Sequence, residues 1–125
     1  MRKNQGNVQT QIRRIVRRIV ERFKPEKVIL FGSHARGDAG PDSDVDLLVV
    51  MEVEGSKREK RLEIQATLAE WSIPLDVIVT RPVDFLWRKD IVGTIEWPAT
   101  REGKVLYAAA GPESGRGAVG VGRKG

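Results

Sequence analysis

Two short apolar runs, Val28–Phe31 and the Leu47–Val50 centre of the segment Val45–Val53, flank a glycine-containing segment and constrain the fold more than any other feature of the chain. A strand with one wet face alternates apolar and polar residues. A continuous aliphatic run carries apolar side chains on both faces and needs cover on both. Pro25 and Gly32 bound the first run, and Glu54-Gly55-Ser56 marks a turn after the second. Neither is long enough for a buried helix, so both read as strands. Leu75–Val79, after Pro74, reads as a third.

The cover must come from helices. Ile12, Ile15, Val16, Ile19, Val20 and Phe23 recur at helical spacing within Val8–Lys24, and Arg13, Arg14, Arg17, Arg18 and Arg22 fall on the opposite side. Pro25 ends that helix. Residues 34–37 suit a helical turn, and Asp38–Ser43 reads as loop. Ser56 can cap a helix over Lys57–Trp71. Two partial stripes run along it, Ile64/Leu68/Trp71 and Leu62/Ala66/Ala69, and spacing alone does not select between them. Pro82 suits the start of a further helix, with Phe85, Leu86, Ile91, Ile95 and Trp97 as its apolar positions. Lys104–Tyr107 fits a last short strand or a terminal helical turn. Together these predict an α/β fold.

At 125 residues this is one domain. Residues 1–110 carry all the structure-forming patterns. Residues 111–125 hold six glycines and little to bury, which predicts disorder. No cysteine is present, so disulfides and thiolate metal sites are excluded. No apolar run approaches a membrane span, and the basic N-terminus lacks the apolar core of a signal peptide, so a cytoplasmic location is expected. The net charge of +5 favours polyanionic partners. The arginine stripe of the first helix is by default a solvated face; its functional reading is contact with an acidic partner or RNA.

Residues 32–46 carry the chemistry: Gly-Ser-His-Ala-Arg-Gly-Asp-Ala-Gly-Pro-Asp-Ser-Asp-Val-Asp. In a strand alternate side chains share a face, so Asp44 and Asp46 point together while Val45 and Leu47 point into packing. Two close carboxylates repel and become a site for a hard cation, Mg²⁺ or Mn²⁺. Asp76 joins them if its strand neighbours the second. Gly32 permits close backbone approach, and Ser33 offers an N–H and a hydroxyl that suit phosphate oxygens. Arg36 can add charge on a triphosphate or orient the loop. Ser43, with Asp42, shapes the turn and stands within reach of a nucleotide. Such a set suggests metal-assisted nucleotidyl transfer.

At average residue frequencies, Gly-Ser, ten residues and Asp-x-Asp recur by chance in a chain this long about once in a thousand. Other readings fail at named positions. An EF-hand loop starting at Asp42 needs Gly where Leu47 stands and Glu where Val53 stands. A P-loop needs a Gly-Lys-Ser/Thr that does not follow Gly32. His34, the only histidine, fits a variable loop position better than a catalyst. Trp71, Trp87 and Trp97 fit core or interface packing.

The segment resembles the signature of the DNA polymerase beta-like nucleotidyltransferases, and more narrowly the minimal nucleotidyltransferase domains, over about Val8–Tyr107. The resemblance implies a small mixed sheet with helices packed mainly on one side, and it implies that Gly32 and Ser33 bind triphosphate and that Asp44, Asp46 and Asp76 bind metal, with ATP as substrate. It further implies an antitoxin role beside a HEPN-domain RNase toxin, by AMP transfer onto a toxin tyrosine. Two alternatives remain open: a non-catalytic nucleotide-binding module that neutralises its partner by occlusion, or a nucleic-acid-binding domain using the arginine stripe.

Overall fold

A computed structural model describes residues 7–40 and 42–109. The predicted glycine-rich tail lies outside the described residues. The elements are α1 (Val8–Phe23), β1 (Lys27–Phe31), α2 (Ser33–Arg36), β2 (Val45–Val50), α3 (Lys57–Thr67), β3 (Leu75–Thr80), α4 (Pro82–Arg88), α5 (Glu96–Glu102) and β4 (Lys104–Ala108). The strands form one mixed sheet in the order β3-β2-β1-β4. β1 runs antiparallel to both β2 and β4, and β2 runs parallel to β3. A parallel pair needs a crossover, which α3 supplies.

The expected alternation of faces holds. Val28 and Leu30 of β1, Leu47 and Val49 of β2, and Val77 and Val79 of β3 are buried with Ile12, Ile15, Val16 and Ile19 of α1 and Ile64 of α3. Ile29, Phe31, Leu48 and Val50 point the other way, onto Phe85 of α4 and Ala99 of α5. The two long helices thus cover one face and the two short ones the other. Each fully buried aliphatic side chain contributes about 1.5–3 kcal/mol relative to exposure. In α3 the Ile64/Leu68 stripe is the buried one, whereas Leu62 is 51% exposed.

Local chemistry sets the ends. Asn7 caps α1 by accepting a 2.9 Å hydrogen bond from the Thr10 N–H. Lys24 closes it in the left-handed region (φ 51°), one residue before Pro25, so the helix stops at Phe23. β2 ends at Val50 rather than Val53, because its neighbours run out: β1 begins at Lys27, opposite Val50, and β3 ends at Thr80, beside it. α3 ends at Thr67, where Leu68 caps it, short of Trp71.

The largest departure lies between Pro82 and Trp97. One continuing helix would have buried Leu86, Ile91 and Ile95. Instead α4 stops at Arg88, a turn containing Gly93 (φ 103°) follows, and α5 restarts at Glu96. Of the five predicted apolar positions only Phe85 is buried. The break is held by a polar cluster. Glu96, 3% exposed, accepts from the Thr80 hydroxyl at 2.7 Å and from Arg88 Nε at 3.1 Å. Lys104–Ala108 is the strand of the two alternatives.

Candidate active site

The register brings the motif together. Asp46 lies opposite Phe31 of β1 and beside Asp76 of β3. Register partners in a sheet share a face, so both carboxylates stand on the α4/α5 side, in line with Leu48 and Ile78. Asp44, just before β2, has the same parity. Gly32 follows Phe31 directly and therefore meets Asp46. A Cβ on Gly32 would land on Asp46 Oδ2. Its backbone (φ 76°, ψ −158°) lies in a region that essentially only glycine occupies.

After Gly32 the chain turns into α2. The N–H groups of Ser33 and His34 open this turn, where a helix has no preceding carbonyl to receive them. Gly37 (φ 90°) closes it and donates its N–H to the Ser33 carbonyl at 2.9 Å. The loop back to β2 is shaped by Ser43, whose hydroxyl accepts from the Gly40 N–H at 2.8 Å. His34 Nε2 lies 3.3 Å from the Ser43 carbonyl, tying the turn after Gly32 to the aspartate loop. That is a positioning role the sequence did not reveal. Arg36 pairs with Asp38 (3.3 Å) and Glu102 (3.2 Å), which lift its pKa above the ordinary value, Glu102 foremost. These contacts tie α2 to the start of the loop and to α5.

The site is electrostatically tense. Burial pushes the Asp46 carboxyl above the usual range, and the charges of Asp76 and then Asp44 push it further, against a pull from His34 and Arg36. Asp76 has a counter-ion in Arg61 of α3, whose Nη2 lies 3.0 Å from its Oδ1. Among the described residues no three acidic, histidine or cysteine side chains are drawn into a ligating group. The three carboxylates are coupled neighbours, with one turned to Arg61. The donor set fits a hard divalent cation: carboxylates alone, one desolvated, on one sheet face beside a glycine with no side chain to intrude.

Comparison with known proteins decides the family. The profile of the nucleotidyltransferase domain matches residues 12–103, a span that includes Gly32, Ser33, Asp44, Asp46 and Asp76. The chain belongs to the nucleotidyltransferase domain family. It is 32% identical over 87 residues to an inferred protein adenylyltransferase of Methanocaldococcus jannaschii, covering 69% of this chain and 82% of that one. A second such protein of the same organism is 37% identical over 57 residues, 46% of this chain; the match spans 57% of the relative's own length.

Solved structures share the fold of this nucleotidyltransferase domain. An inferred nucleotidyltransferase from Sulfolobus solfataricus superposes with a TM-score of 0.54 at 24% identity, over 78% of this chain and 77% of that one. A substituted MntA–HpeT toxin–antitoxin gives 0.55 at 19%, over 83% and 75%. A toxin–antitoxin with AMP-PNP gives 0.51 at 18%, over 76% and 71%. The predicted mixed sheet and the resemblance on which it rested are both borne out.

Proposed function

We propose that this domain is a metal-dependent protein adenylyltransferase, moving AMP from ATP onto a hydroxyl of a HEPN-domain RNase toxin for which it is the antitoxin. The observation that carries the reading is the meeting of Gly32 with Asp46. The glycine turn after β1 and the carboxylates of β2 and β3 adjoin at one end of the sheet.

In this reading Ser33 and His34 direct N–H groups at the triphosphate, and Gly32 lets it approach the backbone. Asp44, Asp46 and Asp76 are the groups that would hold Mg²⁺ or Mn²⁺, which supplies charge neutralisation and a lowered pKa for the acceptor hydroxyl. The acceptor oxygen attacks the α-phosphorus, the bond from that phosphorus to the bridging oxygen breaks, and pyrophosphate leaves. In this reading Asp76, on the edge strand β3, takes the acceptor proton. Ser43 and Arg36 hold the loop that bears Asp44.

Several observations support a protein acceptor and ATP as donor. Two relatives are inferred protein adenylyltransferases, and a toxin–antitoxin of the same fold was crystallised with AMP-PNP. Val83 (63% exposed), Leu86 (65%), Trp87 (54%) and Val92 (75%) give α4 and the following turn an apolar outer surface suited to a partner protein. Among the described residues no helix is long and apolar enough to cross a membrane.

The test is co-expression with the candidate toxin, followed by incubation of the purified pair with α-labelled ATP and Mg²⁺. Label on the toxin that disappears with EDTA and with Asp44→Ala is the expected result. Unlabelled toxin with an intact pair would leave occlusion as the mode of neutralisation.

A further inference from the structure

The five arginines of α1 stand apart from this chemistry. Ile12, Ile15, Val16 and Ile19 press α1 onto the sheet face formed by Val28, Leu30, Leu47 and Val49, whereas the aspartates point from the other face. The sheet itself separates the two. α1 holds five arginines against one glutamate, a surplus of four positive charges, while the whole chain carries +5. The other described residues show no such surplus, with 12 lysines and arginines against 15 aspartates and glutamates. A solvated structural helix offsets such charge with acidic partners at i±3 or i±4. Here Arg14, Arg17 and Arg22 have no ion pair among the described residues, and only Arg18 has one, with Glu70 at 3.3 Å.

The face also has a shaped site. A cleft of about 380 Å³ is lined by Arg14, Arg17, Arg18, Glu21, Glu70 and Trp71. Arg18 lies over the Trp71 ring at 5.0 Å and is gripped by Glu70, so its guanidinium is held in place before any ligand arrives. Trp71 packs partly on the core beneath. A fixed guanidinium plane is a surface on which a nucleobase stacks, and free arginines beside it are matched to phosphate oxygens.

We infer that the Arg14–Arg17–Arg18–Trp71 cleft is a binding site for single-stranded nucleic acid, separate from the triphosphate site. A base lies on the Arg18 guanidinium, and the flanking phosphates take Arg14 and Arg17, with Arg13 and Arg22 extending the track along the helix. A duplex hides its base faces and leaves the Arg18 plane without a partner, which favours a single strand. Glu21, on the wall of the cleft, is the one opposing charge without an ion pair among the described residues.

The experiment is fluorescence anisotropy with the whole protein and labelled twelve-nucleotide oligo(U) and oligo(dT), at 50–200 mM salt. With about three phosphates neutralised, the slope of log K on log salt is about −2, and affinity falls about twentyfold over that range. Arg14→Ala/Arg17→Ala is expected to bring the slope to about −0.7. Glu21→Gln is expected to tighten binding, and Asp44→Ala to leave it unchanged. Both arginines are exposed and have no ion pair among the described residues, so circular dichroism should report an intact fold in the variant. Equal binding of the two oligonucleotides assigns recognition to base and phosphate; preference for oligo(U) adds the ribose hydroxyl. Either supports the site. No binding at 50 mM salt, binding indifferent to the arginine pair, or a twelve-residue polyglutamate binding as tightly as oligo(U) would overturn it, the last assigning the face to an acidic protein.

Discussion

Gly32→Ala tests the architecture of the active site through a quantity that depends on two residues at once. At φ 76° and ψ −158° a non-glycine residue is strained by about 1–3 kcal/mol. The new methyl also lands on Asp46 Oδ2, so the carboxylate must move, and forced overpacking of this kind costs about 1–3 kcal/mol more. The same methyl would stand 3.5 Å from Asp46 Cβ, an ordinary contact. Asp46→Ala therefore removes the clash and leaves the backbone strain. Urea unfolding of wild type, the two single variants and the double variant gives the coupling energy. Gly32→Ala should destabilise the wild type by about 2–6 kcal/mol, but the Asp46→Ala protein by only about 1–3 kcal/mol. Equal losses in the two backgrounds would refute the claim that Gly32 and Asp46 share one space.

Asp46→Asn should stabilise the fold at neutral pH while abolishing transfer. The folded-state pKa of Asp46 is raised, first by burial and then by Asp76 and Asp44, so its contribution to stability is present at low pH and lost as pH rises through that pKa. The gain in Tm over wild type should accordingly shrink as pH is lowered through the carboxylate range; a gain independent of pH would contradict the assignment. Glu96→Gln keeps the shape but weakens the bonds to Thr80 and Arg88; with Arg88 about a third exposed, a loss of about 1.5–3 kcal/mol is expected by denaturant unfolding. Gly103→Ala would drive a methyl onto the Ala99 carbonyl and to 2.7 Å from Ile29 Cγ2, so hydrogen exchange should speed up selectively in β4.

The sheet and the motif were legible because they are local. An aliphatic run declares a doubly covered strand, and parity within Asp44–Val45–Asp46–Leu47 fixes which side chains share a face. The position of Asp76 followed from one further assumption, that β3 neighbours β2, and the parallel pairing meets it. What escaped depends on approach between distant segments. Arg61 reaches Asp76 because α3 packs along β3, and Arg36 reaches Glu102 because α5 returns beside α2. The break between α4 and α5 escaped for a related reason. Leu86, Ile91 and Ile95 mimic a continuing helix, whereas the buried Glu96, satisfied by Thr80 and Arg88, sets where the second helix starts.

The central claim is that Gly32, Ser33 and the three aspartates form one nucleotidyl-transfer site. Its most direct test is mass spectrometry of this domain purified with the proposed toxin partner, after incubation with ATP and Mg²⁺. The account predicts a single AMP adduct on a toxin hydroxyl, absent with EDTA and absent with Asp44→Ala or Asp46→Asn. An adduct that persists in both aspartate variants, or a fully active pair that forms none, would contradict it.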